Sequence, residues 1–198
     1  IARTADMSRP WQARDGSLMR LYLVRHGEAA ARWSQSRDPG LSERGRQQAY
    51  SICGRFRGHA PMSVVASPLL RAQETAAPLA AMWGVDVQRD GAYRELPSLV
   101  AFEERAAWLK RVMRGTWDEV DEALVNWRDD AWRAFTSIDT DAVVFSHFMV
   151  INAILSRLNG DDRLVSFEPD YISVTAFAIS DGGVELIELG KALETVVL

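Results

Sequence analysis

Residues 18–28 read LMRLYLVRHGE, a short apolar run that ends in arginine, histidine, glycine and glutamate. Leucine, tyrosine and valine are common in strands, and an apolar run without polar alternation is typical of a strand buried on both faces. In open α/β sheets, ligands bind beyond the carboxyl ends of the strands. We therefore predict that His26 lies at the edge of a buried sheet, where it is a candidate functional residue.

A second histidine follows a second run of this kind. Residues 141–147 read DAVVFSH, which predicts another buried strand with His147 directly after it. A single buried histidine is most simply a hydrogen-bonded core residue, but two histidines after two strand ends favour a shared site. His59, the third histidine, lies in the loop sequence GRFRGHAP and is predicted to be a surface residue.

Two arginines accompany these histidines. Arg25 precedes His26, and Arg71 lies in the segment SPLLRAQETA, one turn into a predicted helix that starts directly after a strand. A guanidinium group can bind two oxygens of a phosphate through parallel hydrogen bonds. Arg71 taken alone is better explained as a solvated helix residue, so the prediction of an anion site depends on the whole group.

The rest of the chain alternates strands and helices. Predicted strands span 18–24, 62–66, 85–87, 141–146, 173–179 and 184–189, and the last two form a hairpin through Asp181, Gly182 and Gly183. Predicted helices follow the N-cap Ser42, start at Ser67-Pro68, occur twice within 96–138 with a break near Gly115, and span 148–158. The alternation indicates one α/β layered domain over 18–198, preceded by a tail over 1–17.

The second helix within 96–138 carries an apolar stripe. Its large residues recur at steps of three or four: Trp117, Val120, Leu124, Trp127, Ala131 and Phe135. This spacing places them on one helix face, which predicts that the face packs into the core.

Composition argues against several classes of protein. The 198 residues carry a net charge of -4 without a basic bias, so we expect no nucleic-acid partner. No apolar run approaches the ~20 residues of a membrane span, and the first residues lack the apolar middle of a secretory signal, so we expect no membrane partner. Cys53 is the only cysteine, which excludes an intrachain disulfide and fits a cytoplasmic location.

Other motifs of phosphate chemistry are missing from the sequence. Cys53 is followed six residues later by His59 rather than by the arginine of a cysteine-phosphatase loop. The sequence contains no GxxxxGKS or GxxxxGKT phosphate loop and no HExxH zinc pattern, so we predict no metal site. The two histidines and two arginines remain the main candidates.

Five segments form a pattern that none of them shows alone. They are LVRHGEA at 23–29, GLSERGRQQA at 40–49, SPLLRAQETA at 67–76, GAYRELP at 91–97 and VVFSHFMVINAIL at 143–155. In this order, from Leu21 to Leu158, they resemble the histidine phosphatase superfamily, also called phosphoglycerate mutase-like. The resemblance implies a three-layer α/β/α sandwich with a mostly parallel central sheet and a helical insertion, about residues 97–138, covering the active site.

The resemblance also implies roles for residues of the pocket. His26 matches the nucleophile, Arg25 and Arg71 match two phosphate-binding arginines, and His147 matches the second histidine of the pocket. We expect a backbone carbonyl near His26 to keep one ring nitrogen protonated, which leaves the other to attack phosphorus. The implied activity is a metal-independent phosphatase without a cofactor, which hydrolyses a small phosphomonoester through a phosphohistidine.

Glu95 matches the acid that protonates the leaving group in this family. Burial and bound phosphate would raise the pKa of Glu95, whereas nearby arginines would lower it, and the sequence leaves this balance open. Glu28 and Glu103 are the nearest rivals for the role. The alternative for Glu95 is a surface carboxylate paired with Arg94.

The chain departs from the family pattern in two places. The asparagine that often contacts phosphate is missing from 28–33, where Arg32 is a candidate substrate-binding replacement and a solvated loop residue is the alternative. Phe148 follows His147 where a glycine is common. In the insertion, aromatic and basic residues are candidates for the inner lining of the pocket, with helix packing as the alternative: Phe102, Arg105 and Trp108.

Two other functions stay open at this point. One is phosphotransfer of the cofactor-dependent phosphoglycerate mutase type, although the additional segments that hold a bisphosphate in true mutases are not found. The other is a non-catalytic module that binds phosphate compounds. A homodimer is compatible with the sequence, which does not identify the natural substrate.

Overall fold

The computed structural model describes residues 18–31 and 35–193, and its centre is a six-stranded sheet. The strands are β1 Met19–Arg25, β2 Ser63–Ala66, β3 Val87–Arg89, β4 Ala142–Ser146, β5 Val174–Ser180 and β6 Gly183–Glu188. The helices are α1 Glu43–Arg55, α2 Leu70–Trp83, α3 Arg105–Val112, α4 Glu122–Thr136 and α5 Phe148–Asn159, with single 3₁₀ turns at Gly91–Tyr93 and Phe102–Glu104.

The order of the strands is β3-β2-β4-β1-β5-β6, in which β1 to β4 are parallel and β5 is antiparallel to both of its neighbours. Arg25 of β1 lies opposite Ser146 of β4, and β2 ends beside them. The residues that follow these three strands therefore meet at one edge of the sheet: His26, Ser67 and His147. The predicted convergence of the two histidines thus follows from the strand register.

Side chains of β1 alternate between two apolar layers. Leu21 and Leu23 pack with α4 and α5, whereas Tyr22 and Val24 pack with α1 and α2. A fully buried leucine or valine side chain stabilises the fold by about 1.5–3 kcal/mol because its apolar surface leaves water. The predicted α/β/α sandwich is confirmed, and the unbroken apolar run in the sequence reflects burial on both faces of the sheet.

α2 and β3 each start at least two residues later than predicted. α2 begins at Leu70 rather than at Ser67-Pro68, because Leu69 keeps an extended backbone with a ψ angle of 138°. β3 begins at Val87 rather than at Val85, since the amide of Val85 is still hydrogen-bonded to the last turn of α2.

The predicted insertion over 97–138 has two parts with different surroundings. Leu109 and Met113, at the end of the first part, line the pocket at the strand ends. α4 instead packs its buried residues Ala131 and Phe135 with α5, in an outer layer of the sandwich. The cover of the pocket is therefore formed by the part that contains α3.

The apolar stripe predicted for α4 begins before the helix does. Trp117 and Val120 lie in the connection between α3 and α4, where the amide of Trp117 donates to the carbonyl of Asp162 at 2.7 Å. α4 starts only after Asp121, whose carboxylate accepts a hydrogen bond from the first turn. Trp117 is nevertheless buried beside Leu124, so the prediction of a core position is correct although the helix is shorter.

Several local predictions are confirmed. Ser42 caps α1 by accepting a hydrogen bond from the amide of Gly45 at 2.9 Å, and β5 and β6 form the predicted hairpin. His59 is exposed. None of the helices in the two described ranges has both the length and the apolar composition that a bilayer crossing requires.

Candidate active site

His26 lies directly beyond β1 with one ring nitrogen fixed by the backbone. Its Nδ1 is 2.7 Å from the carbonyl oxygen of Gly27, and because a carbonyl only accepts, Nδ1 carries the proton. Nε2 therefore keeps its lone pair, as expected from the sequence. Burial, followed by the positive charge of Arg71, holds the pKa of His26 well below its usual value, so the ring is neutral near pH 7.

The turn after His26 is anchored to both helices on one side of the sheet. The amide of Gly27 donates to Oγ1 of Thr75 in α2 at 3.0 Å. The amide of Glu28 donates to Oε1 of Gln48 in α1 at 2.8 Å, and Oγ of Ser42 donates to the Glu28 carboxylate at 2.7 Å. These bonds position the Gly27 carbonyl, and through it the imidazole ring.

Arg71 is buried in the first turn of α2 and reaches the imidazole ring of His26. Its Nε donates to Nε2 of His26 at 3.1 Å, and its Nη1 lies 3.8 Å from a carboxylate oxygen of Asp38. Burial lowers the pKa of Arg71, while Glu95 and Asp38 act in the opposite direction. Only 4% of Arg71 is exposed, so the alternative of a solvated helix residue is wrong.

Arg25, the last residue of β1, is held by the segment before β5. Its Nη1 donates to the carbonyl of Pro169 at 2.7 Å, and its guanidinium carbon lies 4.3 Å from the ring centroid of Tyr171. Ile172 has a φ of 52°, which is strained for a β-branched residue by about 1–3 kcal/mol, and its amide donates to the carbonyl of Arg25 at 3.1 Å. The strained turn therefore bonds to Arg25 directly and carries Tyr171 against its guanidinium.

His147 occupies the N-cap position of α5 and is fully buried. The centroids of its ring and the His26 ring are 5.1 Å apart, and its Nε2 is 2.8 Å from Oγ of Ser67. Burial, and then the proximity of His26 and Arg71, hold the pKa of His147 well below its usual value. The site therefore favours the neutral, hydrogen-bonding form of His147 over the protonated form.

Glu95 lines the cavity that also contains Arg25, His26 and Arg71. Its surroundings decide the direction of its pKa shift, which the sequence left open. Burial raises the pKa of Glu95 above its usual value. The amide of Leu96, which donates to Oε1 at 2.9 Å, and the charges of Arg71 and Arg25 lower this pKa, but their effect is smaller than that of burial. Glu95 makes no ion pair with Arg94 within the described ranges. The surface-pair alternative is therefore wrong, and Glu95 retains a proton to higher pH than an exposed glutamate.

The two rival carboxylates lie elsewhere. Glu28 is bonded to Ser42 and lies 3.7 Å from a guanidinium nitrogen of Arg44. Glu103 is exposed in the 3₁₀ turn before α3. Neither lines the cavity that holds His26 and Glu95.

The cavity at the strand ends has a volume of about 400 Å³ and two kinds of wall. Its polar residues are Arg25, His26, Arg71 and Glu95, and apolar residues surround them: Ala29, Ala31, Pro39, Leu96, Leu109, Met113, Phe148, Met149, Tyr171 and Leu193. Phe148 thus narrows the pocket, and its ring centroid lies 5.4 Å from the guanidinium carbon of Arg25. Arg32 lies outside the described residues.

The three insertion residues proposed as lining have different surroundings. Trp108 is buried in a cluster with Leu96 and Leu124, so helix packing explains it. Phe102 and Arg105 line a second cavity next to the first.

Three buried nitrogens around His26 lack a hydrogen-bond partner among the described residues. They are Nε of Arg25, Nη1 of Arg71 and Nδ1 of His147. A buried polar atom without a partner costs about 1–3 kcal/mol, so three at one place indicate a site shaped for a ligand that supplies acceptors. Across 18–31 and 35–193, no cluster of three or more histidine, cysteine or acidic residues is arranged to hold a metal ion.

Sequence reasoning missed several residues that orient this site. Thr75 follows Arg71 by one helical turn, so the spacing within SPLLRAQETA would have revealed it, and its Oγ1 also donates to the carbonyl of Arg71 at 2.6 Å. Ser67 and Tyr171 gave no usable local signal. Tyr171 reaches Arg25 only because β5 pairs with β1.

Comparison with known proteins agrees with this geometry. The family model described as histidine phosphatase superfamily (branch 1) matches residues 21–191. The chain belongs to this superfamily. The resemblance inferred from the five motifs is thus confirmed over nearly the whole described chain.

Curated relatives of this superfamily member match part of its length. The probable phosphoglycerate mutase GpmB of Erwinia tasmaniensis is 38% identical over 113 residues, which is 50% of this chain and 52% of the relative. The protein of the same name from Salmonella paratyphi C is 31% identical over 115 residues, 51% of this chain and 53% of the relative. The chain spans about half the length of the curated relatives it matches.

Solved structures share the fold more completely. A mycobacterial glucosyl-3-phosphoglycerate phosphatase superposes with a TM-score of 0.67 at 21% identity, over 86% of this chain and 97% of that chain. A phosphoserine phosphatase from Entamoeba histolytica, bound to 3-phosphoglyceric acid, superposes with a TM-score of 0.69 at 20% identity, over 88% of this chain and 98% of that chain. YhfR from Bacillus stearothermophilus superposes with a TM-score of 0.71 at 22% identity, over 85% of this chain and 95% of that chain.

Proposed function

We propose that this chain hydrolyses a small phosphomonoester through a covalent phosphohistidine at Nε2 of His26. The observation that carries the proposal is the protonated Nδ1 of His26, which leaves a neutral, nucleophilic Nε2 beside Arg71. Phosphoryl transfer needs an in-line nucleophile and positive charge around the phosphoryl oxygens. The unpartnered nitrogens of Arg25, Arg71 and His147 supply the donors for those oxygens.

In the first step, Nε2 of His26 forms a bond to phosphorus while the bond from phosphorus to the ester oxygen breaks. Glu95, whose pKa burial raises, gives its proton to the departing oxygen, so that an alcohol leaves rather than an alkoxide. The products of this step are the alcohol, a phosphohistidine and an ionised Glu95. The charges of Arg25 and Arg71 stabilise the transferred group, which is why we predict no requirement for a metal ion or cofactor.

In the second step, Glu95 accepts a proton from water as the water oxygen attacks phosphorus. The bond between phosphorus and Nε2 breaks, orthophosphate is released, and His26 returns to its neutral form. Glu95 is again protonated, so the cycle balances in protons and phosphoryl groups. The same residue acts as acid in one step and as base in the other.

A second candidate is transfer to another substrate molecule instead of water, which the mutase names of the curated relatives favour. Both candidates use the phosphohistidine and differ only in the acceptor. The names of the phosphatases that share the fold support hydrolysis. Incubation with 3-phosphoglycerate, with and without a bisphosphate, separates them: isomer formation that depends on the bisphosphate would favour the mutase.

Release of p-nitrophenol from p-nitrophenyl phosphate tests the proposal with purified protein in the presence of EDTA. We expect turnover by the wild type and by the control His59→Ala, which removes an exposed imidazole, and none by His26→Ala. Full activity in His26→Ala, or loss of activity with EDTA, would contradict the proposal. Binding of vanadate by the wild type without hydrolysis over a wide pH range would indicate a non-catalytic module.

Other expectations from the sequence stay predictions. They are a cytoplasmic location, the absence of a nucleic-acid partner, a domain boundary near residue 18, a homodimer and a phosphate-binding role for Arg32.

A further inference from the structure

A second cavity opens beside the catalytic pocket. Its volume is about 530 Å³, and Glu95 and Leu96 line both cavities. In the proposed mechanism Glu95 protonates the ester oxygen of the leaving group. The part of the substrate that leaves therefore has direct access to this second space.

The second cavity is strongly basic. Three guanidinium groups from separate segments line it, Arg37 from the loop before α1, Arg94 from the turn after β3 and Arg105 from the start of α3. Glu95 is the only acidic residue among the described residues of the lining. Arg37 and Arg94 form no ion pair with a carboxylate in the described part of the chain.

Two of these charges flank one aromatic ring. The guanidinium carbons of Arg37 and Arg105 lie 5.9 Å and 5.4 Å from the ring centroid of Phe102. Burial, and then the charge of Arg37, lower the pKa of Arg105, so the two like charges act on each other. A ring face relieves part of this repulsion through its negative quadrupole, and an anion between the groups would relieve more.

The basic groups of the two cavities are electrostatically coupled. Burial and Glu95 have the largest effects on the pKa of Arg71, and the charge of Arg105 has a smaller one that lowers it. The charge of Arg94 likewise lowers the pKa of His147, as the smallest of several causes. Arg25 and Arg71 already match one phosphoryl group. The three outer arginines are therefore in excess of what a simple phosphomonoester needs.

We propose that the substrate carries a second anionic group, a carboxylate or a phosphate-like group, on the portion that leaves, and that Arg37, Arg94 and Arg105 bind it. This inference rests on the proposed phosphatase function and adds the class of substrate. The chemistry that fits is charge-assisted hydrogen bonding between guanidinium groups and an oxyanion. Phe102 and Trp127 offer aromatic surface for the connecting part of the substrate.

Matched aryl phosphates test the inference by kinetics. The anionic substrates are 4-carboxyphenyl and 4-phosphonophenyl phosphate with their 3-substituted isomers, and the neutral control for each position is the carbamoylphenyl phosphate. We expect at least one anionic ester to exceed its neutral control in kcat/KM by about tenfold, as one charge-assisted contact allows. The ring position that gives the larger ratio of anionic to neutral kcat/KM identifies the preferred geometry. The anion that gives the larger ratio identifies the preferred group.

One double variant and one control variant locate the effect. Arg37→Gln combined with Arg94→Gln should bring the ratio of anionic to neutral ester close to one. Arg111→Gln removes an exposed charge of α3 that lines neither cavity, and it should keep the full ratio. A ratio near one for every anionic ester in the wild type, or a ratio that survives the double variant, would overturn the inference.

Equilibrium binding separates this inference from the proposed function. In His26→Ala, calorimetric titration with the same esters measures the second contact without turnover. We expect the anionic ester to bind more tightly than the neutral one, and the added Arg37→Gln and Arg94→Gln substitutions to abolish the difference. Tighter binding of the anionic ester in His26→Ala, together with a wild type that hydrolyses none of the esters, would support the second site and reject the phosphatase.

Discussion

Nε of Arg71 donates a hydrogen bond to Nε2 of His26 across 3.1 Å, so the guanidinium engages the lone pair that attack on phosphorus requires. A phosphoryl group that enters the cavity must therefore draw Arg71 onto its own oxygens before Nε2 can react. The bond keeps the imidazole in one orientation until an anion replaces it as the partner of Arg71. Arg71 thus both positions the nucleophile and binds the phosphoryl group.

Substitution of Arg71 tests this double role. We expect Arg71→Ala to lower kcat/KM for p-nitrophenyl phosphate by about 10²–10³, the usual loss for one preorganised donor. Arg71→Lys should recover only part of this loss, because an ammonium group cannot bind two oxygens in parallel. Steady-state kinetics and inhibition by orthophosphate provide the measurement. Unchanged orthophosphate inhibition in Arg71→Ala would show that Arg71 does not bind the anion.

The pKa shifts of His26 and Glu95 favour the same protonation state of the enzyme. Catalysis needs a neutral His26 and a protonated Glu95, whereas the ordinary pKa values of 6.5 and 4.5 would make this combination rare at every pH. Burial lowers the pKa of His26 and raises that of Glu95, so the two values move in the directions that increase the active fraction. The rate should fall at low pH as His26 is protonated, and at high pH as Glu95 loses its proton.

Glu95→Gln tests the acid role through the leaving group. We expect a loss of about 10²–10⁴ in kcat/KM for glycerol phosphate, whose alkoxide needs a proton, and a much smaller loss in kcat/KM for p-nitrophenyl phosphate, because kcat/KM reports formation of the phosphohistidine and not its slow hydrolysis. The decline of kcat/KM for glycerol phosphate at high pH, which follows the loss of the Glu95 proton, should disappear in the variant. Equal losses for both substrates, or an unchanged alkaline decline, would assign the proton to another group.

Thr75 is predicted to act as a positioning residue between two parts of the site. Its Oγ1 accepts from the amide of Gly27 and donates to the carbonyl of Arg71. Thr75→Val keeps the shape and removes both bonds, which should cost about 1–3 kcal/mol in the free energy of unfolding. It should also lower kcat by up to about 10², as a small misplacement of reacting groups does.

Thr75→Ser is the matched control, because it keeps the hydroxyl and loses only a methyl group. We expect its kcat to stay near that of the wild type even if its stability falls. If Thr75→Val and Thr75→Ser lose the same activity, packing of the methyl group matters and the hydrogen bonds do not.

Two glycines of α1 are predicted to respond oppositely to alanine. A Cβ on Gly45 would lie 2.0 Å from the carbonyl oxygen of Glu28, in the turn that follows His26. Gly45→Ala should therefore destabilise the fold by about 1–3 kcal/mol and lower activity by displacing that turn. Gly54→Ala, which meets no atom within 4 Å, should stabilise the fold by about 0.5–1 kcal/mol. Urea denaturation and kcat measured on both variants check the pair.

The strands that end at the site can be predicted because each of them is encoded by a local run of apolar residues. A continuous apolar run such as 18–24 is the sequence consequence of burial on both faces, and parallel strands end at a common edge. The sequence alone therefore predicts that His26 and His147 lie together. Arg71 and Glu95 needed the family resemblance, since each of them alone is an ordinary charged residue on a helix or in a loop.

The remaining contacts of the site depend on long-range geometry. The Pro169 carbonyl meets Arg25 only through the turn before β5, and the sign of the pKa shift of Glu95 depends on how deeply its carboxylate is buried. The residues before α2 also make a tertiary contact, because Oγ of Ser67 bonds to Nε2 of His147. Helix propensity after a strand predicts that a helix follows. It does not predict which of the first residues of that helix contact the site.

The most direct test of the account is to trap the phosphorylated histidine. Glu95→Gln should accept the phosphoryl group from p-nitrophenyl phosphate and then pass it slowly to water, so the intermediate accumulates. Mass spectrometry after rapid alkaline quench should show one acid-labile phosphoryl group on His26, and none in a variant that also carries His26→Ala. A phosphoryl group on any other residue, or turnover with no phosphorylated form in either variant, would contradict the account.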